Sequence, residues 1–206
     1  MLHYTLSAPG NENLNREQIS SSKWVNWAGA VLTTREKIEI NGKIWAHVVQ
    51  GSESSGSGYG GYTCGPADNK IEIDATKQYT LSVLAKRGIA TNSIIRLWCH
   101  WRSSEGGGNL AQNSIDIPLT KDIQRVSVTW TAPTNDTYTV NRINLMIGSA
   151  KPDNELYFTD IKFEEGSKPT PWMPNPEDEI YSKLGYDDTT EYDVSGYKHN
   201  GVKTGI

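Results

Sequence analysis

The stretch "SIIRLWCHWRSS", residues 93–104, decides how the chain folds. It holds two of the seven tryptophans, three residues apart, among a histidine, two arginines and a cysteine. Apolar residues recur at every second position, at Ile95, Leu97, Cys99 and Trp101. A β-strand turns successive side chains to opposite faces, so this row is expected to enter a core. Ile94, Arg96, Trp98, His100 and Arg102 take the other face. That second row mixes a flat aromatic ring with hydrogen-bonding and charged groups, which is costly to bury and natural on an exposed sheet. The bland alternative covers Trp98 with a loop and leaves the arginines as ordinary surface.

The same period of two runs outward from this stretch in both directions. It predicts strands at 26–33, 43–50, 69–74, 78–88, 92–103, 113–120, 124–132, 139–148 and 155–166, separated by turn-rich breaks such as "SSEGGGN" and "KPDN". Helical periodicity is almost absent, so a parallel α/β sheet lacks its connecting helices. Many short strands at regular spacing specify an all-β fold, an antiparallel β-sandwich or barrel. After Gly166, "SKPTPWMPNPEDE" carries four prolines in a few residues and reads as a stiff exit linker. Residues 176–185 suit a short helix, and the polar tail resembles the opening of another domain. The expected division is therefore a sandwich over 1–168 and a linker, helix and arm over 169–206.

Composition excludes several classes of partner. A net charge of −4 gives no basic footprint for nucleic acid or anionic lipid. No apolar run approaches the length of about 18 residues that a membrane helix needs, and "MLHYTLSAPGNEN" has no signal-peptide pattern. Cys64 and Cys99 are too few for a disulfide scaffold, and free thiols are expected, with one bridge as the alternative. Seven Trp and ten Tyr against two Phe favour side chains with an apolar body and a polar handle, which suits half-wet contacts.

Strand parity proposes the binding residues. In 142–148, Ile143, Leu145 and Ile147 read as core, leaving Arg142, Asn144 and Met146 opposite. In 43–50, Ile44, Ala46 and Val48 read as core, leaving Trp45, His47 and Val49 opposite. If these rows share a sheet with Arg96, Trp98, His100 and Arg102, they form one shallow platform of Trp, His, Arg and Asn. Trp130 is in phase with Val126 and Val128 and reads as core. "GSESSGSGYGGYTCG" (51–65) reads as a flexible lid or binding loop, with Tyr59 and Tyr62 as stacking groups, or as a plain solvent loop. It lacks the GK[ST] of a phosphate cradle.

In "ELYFTDIKFEEGSKPTPW" (155–172), Tyr157, Ile161 and Phe163 are expected to face the core, with Asp160, Lys162 and Glu164 opposite. This last strand, ending in Glu-Gly and then Pro-Thr-Pro-Trp, resembles the closing strand of carbohydrate-binding-module-like β-sandwiches in bacteriophage tail proteins. "YTLSVLAKRG" and "RVSVTWTAP" resemble two further strands of those modules. The likeness spans about residues 10–175 and comes nearest to modules of extended distal tail proteins of phages infecting lactic-acid bacteria. It implies a jelly roll, a host cell-wall or surface saccharide as ligand, other tail modules as neighbours, and residence in a virion assembled in the bacterial cytoplasm. It also implies a structural calcium ion in many modules of the type, for which Asp160, Glu12 and Asn13 are the candidate ligands; otherwise Asp160 caps a turn or faces water.

Two other function classes stand beside saccharide binding. A purely structural or protein-binding tail domain would cover the Trp98 face with a neighbouring module. A polysaccharide-degrading enzyme would need two placed carboxylates, and Glu53, Asp74, Glu105 and Asp116 are more simply surface charge. No HExxH, GxSxG or metal-spaced cysteine pattern occurs. The reading favoured is non-catalytic.

Overall fold

A computed structural model describes residues 14, 18–30, 32–51, 56–65, 73–90, 92–103, 109–172, 190–191 and 201–202. Ten strands build the body: β1 (Trp24–Ala30), β2 (Leu32–Ile40), β3 (Lys43–Gln50), β4 (Gly56–Cys64), β5 (Gln78–Arg87), β6 (Ile94–Arg102), β7 (Asn109–Pro118), β8 (Gln124–Thr131), β9 (Arg142–Ser149) and β10 (Asn154–Glu165). They form two five-stranded antiparallel sheets. Sheet A runs β1-β4-β9-β6-β7 and sheet B runs β2-β3-β10-β5-β8. Two short strands, β11 (Thr190–Glu191) and β12 (Gly201–Val202), pair separately. No helix occurs among the described residues, and the helix expected at 176–185 lies outside them.

The core is made by the inward rows of both sheets. Ile95, Leu97, Cys99 and Trp101 of β6 are fully buried, as are Ile143, Leu145 and Ile147 of β9. Leu81, Val83 and Ala85 of β5 and Leu156, Phe158, Ile161 and Phe163 of β10 are also fully buried in this core. Alternate burial of β6 follows the period of its sequence at every position. Aromatic rings fill one end: Tyr79 stacks on Phe163 at 5.5 Å, and Trp101 packs against both. The indole N–H of Trp101 donates to Asn113 Oδ1 at 2.7 Å, so this large core residue also has its polar atom satisfied.

A polar seam ties the sheets together at one end. Asn154 Nδ2 donates to Ser149 Oγ and to the Ile94 carbonyl, and its Oδ1 accepts from the Ile94 amide. Ser149 Oγ in turn lies 2.6 Å from Gln50 Oε1. Asn154, Ser149 and Gln50 are all buried, and mutual pairing removes the cost of burying them.

Four expectations are corrected. The glycine-rich segment is not a loop along its whole length: Gly56–Cys64 is β4, an inner strand paired to β1 and β9. The single strand expected at 26–33 is divided between β1, which ends at Ala30, and β2, which begins at Leu32, lies in the other sheet and joins β3 through Asn41 and Gly42, both at positive φ. Of the strand expected at 69–74, residues 69–72 lie outside the described residues, while Ile73 and Asp74 are not in a strand. In β10 the register shifts between Thr159 and Lys162, and Asp160 there has φ 47°. A bulge inserts an extra residue and changes the phase of alternation. Leu156 and Phe158 therefore face the core before it and Ile161 and Phe163 after it, which turns Tyr157 outward.

The proline-rich segment after β10 begins by folding back over sheet B. Thr170 Oγ lies 2.5 Å from Glu164 Oε2, and the Thr170 amide donates to Glu164 Oε1 at 2.9 Å. Lys162 Nζ donates to the Pro171 carbonyl at 3.0 Å and also contacts Thr170 Oγ. Lys162 and Glu164 are completely buried beneath this strap, 3.3 Å apart. Burial lowers the Lys162 pKa, and Glu164 acts against that shift.

Candidate functional site

The outer face of sheet A carries the row that strand parity singled out in β6. Cross-strand register sets its neighbours. Trp98 lies opposite Met146 of β9 and Ser114 of β7; His100 lies opposite Asn144 and Gln112. Arg96 lies opposite Gly148 and Asp116, and Arg102 opposite Arg142 and Asn109. Trp98, His100, Arg96, Arg102 and Asn144 thus occupy one surface.

A second tryptophan completes this surface. Trp27 of β1 meets Trp98 edge to face, with ring centroids 5.3 Å apart. Two strands separate β1 from β6, a backbone distance of roughly 14 Å at the usual strand spacing. Both rings therefore lean inward over the middle of the sheet. The floor between them has no side chains at Gly61 and Gly148, which pair with each other. A Cβ on Gly61 would lie 2.3 Å from the Ile147 carbonyl oxygen, and one on Gly148 would lie 2.2 Å from that of Gly60. Any larger residue would force β4 and β9 apart. Gly61 and Gly148 are thus required by close strand approach, and the two indoles meet above this side-chain-free floor.

Polar groups ring the aromatic pair in fixed positions. Asp116 accepts from Arg96 Nε and Nη2 at 2.6 and 2.7 Å, a two-pronged contact that holds the guanidinium 5.9 Å from the Trp98 ring centroid. Thr63 Oγ1 donates to Asn144 Oδ1 at 2.8 Å. His100 packs edge-on against Trp98 at 5.0 Å. Its pKa is lowered by burial and by the Arg102 charge, against a raising contribution from Asn109, so the ring is neutral at pH 7. Its Nε2 is buried with no hydrogen-bond partner among the described residues.

The other predicted site residues are elsewhere. Trp45 and His47 belong to sheet B, on the opposite side of the sandwich, and do not join Trp98. Trp45 is 4% exposed, and Lys86 Nζ lies 6.0 Å from its ring centroid. His47 is held between Glu36 (2.8 Å) and Glu155 (3.2 Å) and stacks on Tyr157 at 4.4 Å. Tyr62 is 3% exposed and faces the core against Phe158, so it offers no stacking surface. Tyr59 lies in β4, and its side chain is outside the described residues. Asp160 is paired with Lys43 at 2.8 Å, and Glu12 and Asn13 lie outside the described residues. A carboxylate already neutralised by an ammonium does not fit a calcium site, and no cluster of three metal-ligating side chains occurs among the described residues. Trp130 is only partly buried against the core.

Sequence reasoning missed Trp27, Thr63 and the glycine floor. The signal for Trp27 was present in "WVNWAGA", where Trp24 and Trp27 fall in opposite phases. Trp24 is buried and Trp27 is outward.

No protein-family model matches the chain, and no curated protein matches it. Solved structures do. The tandem CBM22-1–CBM22-2 domain of Xyn10C from Paenibacillus barcinonensis is similar with a TM-score of 0.51 at 9% identity, over 80% of this chain and 48% of that one. The arabinose-bound α-L-arabinofuranosidase MgGH51 is similar with a TM-score of 0.50 at 18% identity, over 77% of this chain and 27% of that one. A CBM4 structure is similar with a TM-score of 0.47 at 17% identity, over 75% and 97% of the two chains. The class these sheets define is the antiparallel jelly-roll sandwich, the fold shared with these solved structures. At such identities the likeness concerns the fold.

Proposed function

We propose that the chain is a non-catalytic module that binds saccharide on the outer face of sheet A. The observation that carries this reading is the Trp27–Trp98 pair, 5.3 Å apart over a glycine floor and bordered by His100, Asn144 and Arg96. Sugar rings present apolar C–H faces that stack on indole, and their hydroxyls pair with Asn, His and Arg groups set around it. Catalysis is disfavoured because Asp116, tied up by Arg96, is the only carboxylate among the described outward side chains of sheet A, and glycoside hydrolysis generally uses two.

The resemblance of the closing strand and its Pro-Thr-Pro-Trp extension to phage tail modules supports a role in host adsorption. On this reading the ligand is a cell-wall or surface saccharide, the neighbours are other tail proteins, and many weak copies on a virion act together. The test is labelling of bacterial cells and a glycan panel by the purified protein. Wild type should bind, and Trp98→Ala should bind at least about tenfold more weakly while keeping its melting temperature within a few degrees. Equal binding by a folded Trp98→Ala protein would favour the structural-domain reading instead.

A further inference from the structure

We propose that the saccharide recognised on this face is anionic, with its carboxylate or phosphodiester oxygens held by Arg102 and Arg142. The inference rests on the saccharide-binding reading and deepens it. The two arginines are direct cross-strand partners on adjacent strands β6 and β9. Arg102 follows fully buried Trp101 and Arg142 precedes fully buried Ile143, so by alternation both point outward on sheet A. Like charges directly opposite each other in a sheet oppose folding. Such a pair is usually relieved by a nearby acid, yet neither guanidinium is in an ion pair with any described carboxylate. Arg102 has one neutral acceptor, Asn109 Oδ1 at 2.6 Å, which fixes its side chain without cancelling its charge.

The contrast with Arg96 on the same row sharpens the argument. Arg96 is neutralised by a two-pronged contact with Asp116 and is thereby set beside Trp98. Arg96 acts as a positioning residue, whereas Arg102 and Arg142 retain their charges. Paired guanidinium groups suit planar or tetrahedral oxyanions, which each can grip with two parallel N–H bonds. The net charge of the chain is −4, so this cationic end is a local feature and not a reflection of overall basicity. Four residues along β6 separate Trp98 from Arg102, roughly 13 Å of strand. A ring stacked on Trp98 does not itself reach the arginines, so the ligand has more than one sugar residue, with its acidic group towards Arg102 and Arg142.

The experiment is calorimetric titration of the full chain with four probes: a neutral xylo-oligosaccharide, an oligogalacturonate, an oligosaccharide whose sugars are joined through phosphodiesters and a single-stranded DNA of matching charge. At least one acidic saccharide should bind about tenfold more tightly than the neutral one, and added salt should reduce that margin. Which of the two binds identifies the carboxylate or the phosphodiester as the natural group. Arg142→Gln should remove the margin and keep or raise the melting temperature at low salt, since it relieves the like-charge contact. Equal binding of neutral and acidic sugars, or an Arg142→Gln protein that keeps its preference, overturns this inference and leaves saccharide binding standing. DNA binding as tight as the acidic saccharides would overturn it in favour of a general polyanion surface. Binding of no sugar at all removes both readings.

Discussion

His100 shows how one residue's surroundings set its chemistry. It lies beside Trp98, opposite Asn144 and Gln112, and near Arg102 and Asn109. Burial comes first among the causes and the Arg102 charge second; together they hold its pKa below the ordinary 6.5. The unfolded chain therefore takes up the proton at higher pH than the folded one. Stability contributed by neutral His100 is complete above about pH 6.5 and declines as pH falls through the window below it, towards the lowered folded pKa. A melting-temperature series at falling pH should show this loss, and His100→Gln should flatten that part of the curve. An unchanged slope in the variant would remove His100 as the source. The alternation Leu97–Trp98–Cys99–His100 was sufficient to turn this ring outward. Its neutral state was not legible, because Arg102 and the surrounding burial act through space.

Elements differ in how openly the sequence declares them. Strand β6 alternates cleanly and its burial obeys the pattern at each position. Strand β4, "GSGYGGYTC", has a composition that disfavours strands, because glycine gives up much conformational entropy and packs no side chain. It is a strand because β1 and β9 supply hydrogen-bonding partners on both edges and because Gly61 and Gly148 must approach closely. Strand β2 was hidden by its charges, although the Asn-Gly at 41–42 before "KIWAHVVQ" is a strong hairpin signal. The proline-rich strap is the converse case. Its composition reads as a stiff exit, yet Thr170 completes a network with two buried charges, Lys162 and Glu164. Thr170→Val should remove the hydroxyl that joins them and lower stability by about 1–3 kcal/mol, measured by urea unfolding. A variant as stable as wild type would show that the strap rests on sheet B without holding it.

At the scale of the whole molecule, the pairing order of strands governs which residues can meet. Cys64 pairs with Leu145, and Leu145 with Cys99, so the two cysteines share a row with β9 between them. Two strand spacings place them roughly 9–10 Å apart, beyond the span of a disulfide. Both are buried and neither is in a disulfide, and burial pushes the Cys99 pKa upward. Neither should react with a thiol reagent in native buffer, both should react in denaturant, and reductant should leave the melting temperature unchanged. Prompt modification of the native protein would contradict this packing.

The sequence by itself determined the strand periods, the all-β class and the split of β6 into a core row and a surface row, because alternation is a local property of extended backbone. It therefore separated Trp101 from Trp98 without any tertiary information. Only the tertiary structure decided that Asn144 stands beside His100 while Trp45 and His47 lie across the sandwich. Parity tells whether a side chain faces into or out of its own sheet; it does not tell which sheet a strand joins. The phase change at Asp160 and the meeting of Trp27 with Trp98 were likewise hidden, since a bulge and a long-range ring contact depend on partner strands distant in sequence. The candidate site combines outward side chains set by local alternation with neighbours chosen by non-local hydrogen bonding.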